Sequence, residues 1–199
     1  MMTRRSYLIV IAGPNGAGKS TTAPSLLKGT LHVTEIVNAD LIAQGLSVFK
    51  PEMTAFQAGR VMLERLHYLA RKRVDFSFET TLASKTFAPW IAELRETGYV
   101  FYLIFLWRPS EEFAINRVAE RVRMGGHNVP EDTIRRRYHA GLRNFFNLYR
   151  SLADSWVFYN NSVAKPTLIA YSAQEQRLVV NDSIIWHNIV KEYGSKRET

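Results

Sequence analysis

Along this chain, short apolar runs alternate with stretches in which apolar residues recur every three or four positions. The run Ser6 to Ala12 is β-branched and unbroken, which predicts a strand buried on both faces. Val33 to Asn38 is a second strand candidate, ending at Ala39-Asp40. Pro51 suits the first position of a helix, and from there to Arg73 the residues Phe56, Val61, Leu63, Leu66 and Leu69 recur at roughly helical spacing. Val74 to Phe78 predicts a third strand, ending at Glu79-Thr80-Thr81, and Lys85 to Thr97 a helix stopped by Gly98. Tyr99 to Trp107 has the nearly all-apolar character of a central parallel strand. Ser110 followed by Glu111 and Glu112 reads as an N-cap with acidic first-turn residues. That helix halts at Gly125-Gly126, and Pro130-Glu-Asp restarts a long one to about Leu152. Trp156 to Tyr159 and Thr167 to Tyr171 are later strands. Gln176 to Val180 adds a short one before Asp182-Ser183 caps a final helix.

Strands alternating with helices imply an α/β three-layer fold with a mostly parallel sheet. Ligands in such folds sit at the carboxyl ends of the strands. That rule selects Gly13 to Ser20, Asp40, Glu79 to Thr81, and Arg108. Arg108 reads by default as an exposed loop residue.

Composition narrows the classes. At 199 residues, one domain over 1–199 is expected, and 46% hydrophobic residues suffice for a sizeable core. The absence of cysteine excludes disulfides, thiolate metal sites and a cysteine nucleophile. The basic start resembles a signal peptide only superficially, because its apolar run leads straight into a glycine-rich loop. No run is long enough to span a bilayer, so a soluble, cytoplasmic protein is expected. A net charge of +8 suits an anionic ligand such as a nucleotide, a sugar nucleotide or nucleic acid. Nucleic acid is the weaker reading, since no recognition motif is present. A GTPase or ATPase switch lacks a clear apolar run ending in Asp-Glu.

The most specific motif is Gly13-Pro-Asn15-Gly16-Ala17-Gly18-Lys19-Ser20, which fits G-x-x-x-x-G-K-[ST] between a strand and the helix opened by Ser20-Thr21. Such a loop turns successive amides toward an anion, aided by the helix dipole. Lys19 then reaches the β- and γ-phosphates of ATP, and the Ser20 hydroxyl ligates Mg²⁺. Asp40 is the best base candidate, with a helix N-cap as its alternative. Glu79 has the chemistry to order Mg²⁺ through water or to bind an acceptor hydroxyl, and Thr80 and Thr81 can donate to an acceptor. All three also read as a polar strand terminus. Arg117 and Arg121 share a helix face, with Glu120 placed to offset their repulsion. They suit either a solvated face or a lid, spanning roughly 110–137, that closes on ATP across the Gly125-Gly126 hinge. His127 either contacts phosphate or caps the loop. Of Arg135, Arg136 and Arg137, at most one or two can face the site.

Gly13 to Thr21, Asn38-Ala-Asp40, Phe76-Ser-Phe-Glu-Thr-Thr-Leu-Ala-Ser84, Gly125-Gly-His-Asn-Val-Pro130 and Ile134-Arg-Arg-Arg-Tyr138 together resemble the zeta toxin family, and its stand-alone branch most closely. The resemblance runs from about Tyr7 to about Ser162. It implies a P-loop kinase with an adenylate-kinase-like core and a helical lid. The best-known members use ATP to phosphorylate the sugar 3′-hydroxyl of UDP-N-acetylglucosamine, and a related branch phosphorylates NAD. By this match Lys19 and Ser20 would hold ATP and Mg²⁺, Asp40 would be the base, and Glu79 and Thr80 would lie by the acceptor. Arg117 would be the lid arginine on the γ-phosphate. The family also makes an antitoxin a candidate partner, although no residue of this chain argues for one. Two departures stand out. His127 occupies the region of a second lid arginine, leaving Arg121 or Arg135 to substitute, and the helix after Pro51 does not clearly reproduce the toxins' sugar-nucleotide pocket.

Overall fold

The computed structural model describes residues 5–27, 31–47, 54–126, 128–163, 165–173 and 177–194. The expectations placed on Pro51 and His127 fall outside these residues.

Seven strands form one sheet: β1 (Tyr7–Ala12), β2 (Glu35–Val37), β3 (Phe76–Thr80), β4 (Val100–Trp107), β5 (Ser155–Asn160), β6 (Thr167–Ser172) and β7 (Leu178–Val180). Their order is β2-β3-β1-β4-β5-β6-β7. The five strands from β2 to β5 are parallel, and β6 and β7 join antiparallel at one edge. The helices are α1 (Lys19–Leu26), α2 (Ala39–Leu46), α3 (Ala55–Arg71), α4 (Phe87–Glu96), α5 (Glu111–Arg123), α6 (Glu131–Asn144), α7 (Arg150–Leu152) and α8 (Ser183–Tyr193). Among the described residues, no helix is long and apolar enough to cross a membrane.

The alternation of side chains along a strand sorts β1 between two cores. Leu8, Val10 and Ala12 join the larger one, with α3, α4, α5, α6 and α8, whereas Ile9 and Ile11 join the smaller one under α1. Both faces are therefore buried at the middle of the sheet, which is why β1 and β4 show no polar alternation. Aromatic rings fill the larger core. Phe105 and Phe158 stack at 4.9 Å, and Phe145 meets Phe158 at 5.1 Å.

Several elements differ from their sequence expectation. The second strand is only Glu35–Val37, because the Asn38 side chain accepts from the Asp40 and Leu41 amides and starts α2 there. Asp40 is thus a first-turn residue and not the cap. The third strand extends through Thr80, which puts Glu79 inside the sheet. The long helix after Pro130 is broken by a π-helical turn, Phe145–Tyr149. The extra residue per turn brings Phe145, Phe146 and Tyr149 all into the core. Tyr149 then donates to Ser84 O at 2.7 Å, and burial pushes its phenol up to about 12.

Candidate active site

The carboxyl ends of β1, β2 and β3 and the end of α5 converge on one cleft of about 210 Å³. Asn15, Gly16, Gly18, Lys19, Ser20 and Thr21 line one wall, Asp40 and Glu79 another, and Arg117, Arg121 and Met124 of the α5 end a third. The loop between β1 and α1 takes the shape its glycines permit. Gly13 has φ 142, and a Cβ on it would stand 2.2 Å from Leu106 O, so the loop packs against β4 only without a side chain there. The Ala17 amide closes a turn on Pro14 O at 3.1 Å, and α1 begins directly after Gly18.

Lys19 Nζ donates to Gly13 O at 2.8 Å and to Pro14 O at 2.9 Å, so its ammonium spans the loop with one N–H still to give. Burial holds its pKa down at about 8; the charges of Glu79 and Asp40 oppose this, while Arg121 and Arg137 add to it. Ser20 Oγ donates to Glu79 Oε2 at 2.8 Å and accepts from Asn38 Nδ2 at 3.2 Å, linking loop, β3 and the start of α2. Glu79 is buried and Asp40 exposed at the cleft's rim. Asn15 Oδ1 is buried without a hydrogen-bond partner among the described residues. With that amide turned over, its NH₂ would face the same place, and an anion would satisfy it.

These residues fit a nucleoside triphosphate with Mg²⁺. The loop amides and Lys19 suit phosphate oxygens. The Ser20 hydroxyl and Glu79 carboxylate are the hard oxygen donors that Mg²⁺ takes beside phosphate and water. Among the described residues, no group of three or more His, Asp or Glu side chains forms a metal cage by itself.

Other expected residues are placed as follows. Thr80 Oγ1 accepts from the Leu82 amide at 3.1 Å and Thr81 Oγ1 from the Ala83 amide at 3.4 Å, so both hydroxyls brace their own turn and keep an O–H to donate. Arg117 pairs with Glu120 at 2.5 Å, which realises the offset expected from their spacing. Arg135 is not a cleft arginine. It binds Glu111 at 2.5 Å and Glu112 at 2.8 Å, fastening α6 to the first turn of α5. Arg137, one of three consecutive arginines, is within electrostatic reach of the site, for its charge adds to the lowering of the Lys19 pKa and the Asp40 charge acts on it. Helical spacing alone gave no means of choosing it. Arg108 is not an exposed loop residue, being only 6% accessible.

A phosphate loop at the carboxyl edge of a mostly parallel sheet, faced by Asp40 at the start of α2 and Glu79 of β3, defines a three-layer α/β P-loop fold. The chain belongs to the AAA domain family (AAA_33), whose model matches residues 8–145. An uncharacterized protein of Haemophilus influenzae is 27% identical over 130 residues, which are 65% of this chain and 91% of that protein. Among solved structures, a chain of the AvrRxo1-ORF1:AvrRxo1-ORF2 complex with sulphate ions superposes with a TM-score of 0.75 at 16% identity, over 96% of this chain. This chain spans 66% of that one, just under two thirds of its length. A chain of the PezAT chromosomal toxin-antitoxin system of Streptococcus pneumoniae superposes with a TM-score of 0.63 at 16% identity, over 100% of this chain and 83% of that one.

Proposed function

We propose that this protein is an ATP/Mg²⁺-dependent kinase that moves the γ-phosphate to a hydroxyl of a small molecule, a nucleotide-sugar or another nucleotide-like metabolite, as zeta toxins do. The observation that carries the reading is the single cleft in which the phosphate loop, Asp40, Glu79 and the α5 arginines meet. Loop amides and Lys19 bind the β- and γ-phosphates. Mg²⁺, when bound by Ser20 with Glu79 beside it, neutralises charge on those phosphates. Asp40 takes the proton of the acceptor hydroxyl as the acceptor oxygen bonds to the γ-phosphorus. The bond from that phosphorus to the bridging oxygen breaks, and ADP leaves with the electron pair. Glu79, Thr80 and Thr81 hold the acceptor, while Arg117 and Arg121 close from α5 and exclude water.

An antitoxin partner belongs to the same reading. Its support is that the matched folds come from the AvrRxo1-ORF1:AvrRxo1-ORF2 and PezAT systems, the latter a toxin-antitoxin pair.

The test is transfer from γ-labelled ATP, with Mg²⁺, into a panel of cellular metabolites. Label moves to a small molecule, and Asp40→Asn lowers that transfer by about 10²–10⁴-fold while ATP binding persists. Label found only as inorganic phosphate, or full transfer by Asp40→Asn, overturns the assignment.

A further inference from the structure

Arg108 has no part in the chemistry above, yet its surroundings are those of a ligand-binding group. It directly follows β4, at the same sheet edge as the phosphate loop, and is 6% accessible. Its guanidinium lies over the Phe113 ring, 5.0 Å from the centroid. Its Nη2 would stand 3.6 Å from a Cβ on Gly18. Its Nε is buried and has no acceptor among the described residues. Burial, and after it the charge of Arg117, holds its pKa below the usual arginine value, and no carboxylate among the described residues counters them. Arg65, Arg95, Arg117 and Arg135 each have a carboxylate partner. A buried cation with only a π-face for company is costly unless a ligand completes its shell.

The loop's geometry says which part of a ligand that is. Gly18 separates two sides. On one, Lys19 and Ser20 face Glu79 and Asp40, the side of the terminal phosphate. On the other, Asn161 donates to Ala17 O at 2.6 Å and to Thr22 Oγ1 at 3.5 Å, alongside the first turn of α1. A Cβ on Gly18 would lie 2.9 Å from that same Asn161 Nδ2, next to Arg108. A triphosphate whose last phosphorus points at Asp40 would leave the loop on the Asn161 side, toward Arg108.

We infer that Arg108, seated on Phe113, is the floor of the donor's nucleoside pocket. One guanidinium face stacks on Phe113 and the other on the nucleobase, and the buried N–H donates to the nucleoside. This rests on the reading of the cleft as a nucleoside triphosphate site, and the test separates the two. The Kd values of ATP and of inorganic tripolyphosphate are measured for the unaltered protein, Arg108→Leu and Arg108→Lys. Both variants weaken ATP about tenfold and leave tripolyphosphate unchanged, because lysine keeps the charge and loses the planar face. Unliganded Arg108→Leu melts no lower than the unaltered protein, since an uncompensated charge has gone. Equal ATP affinity in the variants overturns the inference, as does equal loss of ATP and tripolyphosphate, which would put Arg108 on the phosphates. If the unaltered protein binds neither probe, the reading of the cleft falls together with this one.

Discussion

Ser20 and Glu79 are 59 residues apart in sequence and 2.8 Å apart in space, hydroxyl to carboxylate. The pair joins the phosphate loop to β3, the strand that ends at Thr80. The Glu79 charge also supports the Lys19 ammonium against burial. Glu79→Gln keeps the shape and removes that charge. Turnover is expected to fall about 10²–10³-fold, the range seen for loss of one preorganised electrostatic group. The Mg²⁺ concentration for half-maximal transfer should rise as well. A metal titration with unchanged midpoint would show that Glu79 does not act on the ion.

What was legible in the sequence follows from how local its cause is. The strand, phosphate loop and α1 are specified by adjacent residues, and all appear where the pattern places them. Ser110 likewise caps α5 through the Phe113 amide at 3.1 Å. Features set across the fold could not be read. Arg108 looked exposed because charge usually is, and its burial depends on Phe113, Gly18 and Asn161 meeting around it. Helix α2 has eight residues with Gly45 inside, too short for a periodic signal. The π-helical turn lies in an apolar run that suits any helix. Arg135 is held away from the cleft by one fact of packing: the acidic first turn of α5 lies beside it.

The Lys19 pKa gives a pH dependence with a definite sign. It stands at about 8 in place of 10.5, chiefly through burial. Between these values the unfolded chain keeps the proton and the folded chain has lost it, so stability rises with pH across that window. Below about 8 both states are protonated and the folded state carries the whole cost, on the order of 3 kcal/mol. Lys19→Met should raise stability near neutral pH and flatten this slope, as read by denaturant unfolding at several pH values. Nucleotide binding has the opposite trend, because the anion needs the ammonium. ATP affinity should fall above about pH 8, by at most about tenfold per pH unit.

Arg117 sits in an exposed ion pair with Glu120, the two side chains 49% and 47% accessible. Such pairs contribute roughly 0–1 kcal/mol, so a phosphate can take the guanidinium from Glu120 at little expense. Arg117→Ala should therefore lower kcat by about 10²-fold or more while changing ATP affinity less than about threefold. Glu120→Gln, which frees the guanidinium, should leave the melting temperature nearly unchanged. Equal turnover in Arg117→Ala would exclude a lid role for it.

The turn that follows β3, residues 81–83, is held by α6, and Gly141 is where the two touch. A Cβ at Gly141 would lie 2.3 Å from Thr81 O. Three residues on, Asn144 Nδ2 donates to Leu82 O at 2.7 Å and to Ala83 O at 3.2 Å. Leu82 itself has φ 55, a left-handed conformation that a leucine keeps only when its surroundings impose it. Gly141→Ala gains helix propensity of up to about 1 kcal/mol, but the methyl must push Thr81 or α6 aside. Overpacking of this kind costs about 1–3 kcal/mol, so the net change is a loss of stability, measured as a lower denaturant midpoint. The displaced turn carries Thr80 and Thr81, so the KM for the acceptor should rise severalfold while the KM for ATP holds. An unchanged acceptor KM in a destabilised Gly141→Ala protein would mean that Thr80 and Thr81 do not touch the acceptor.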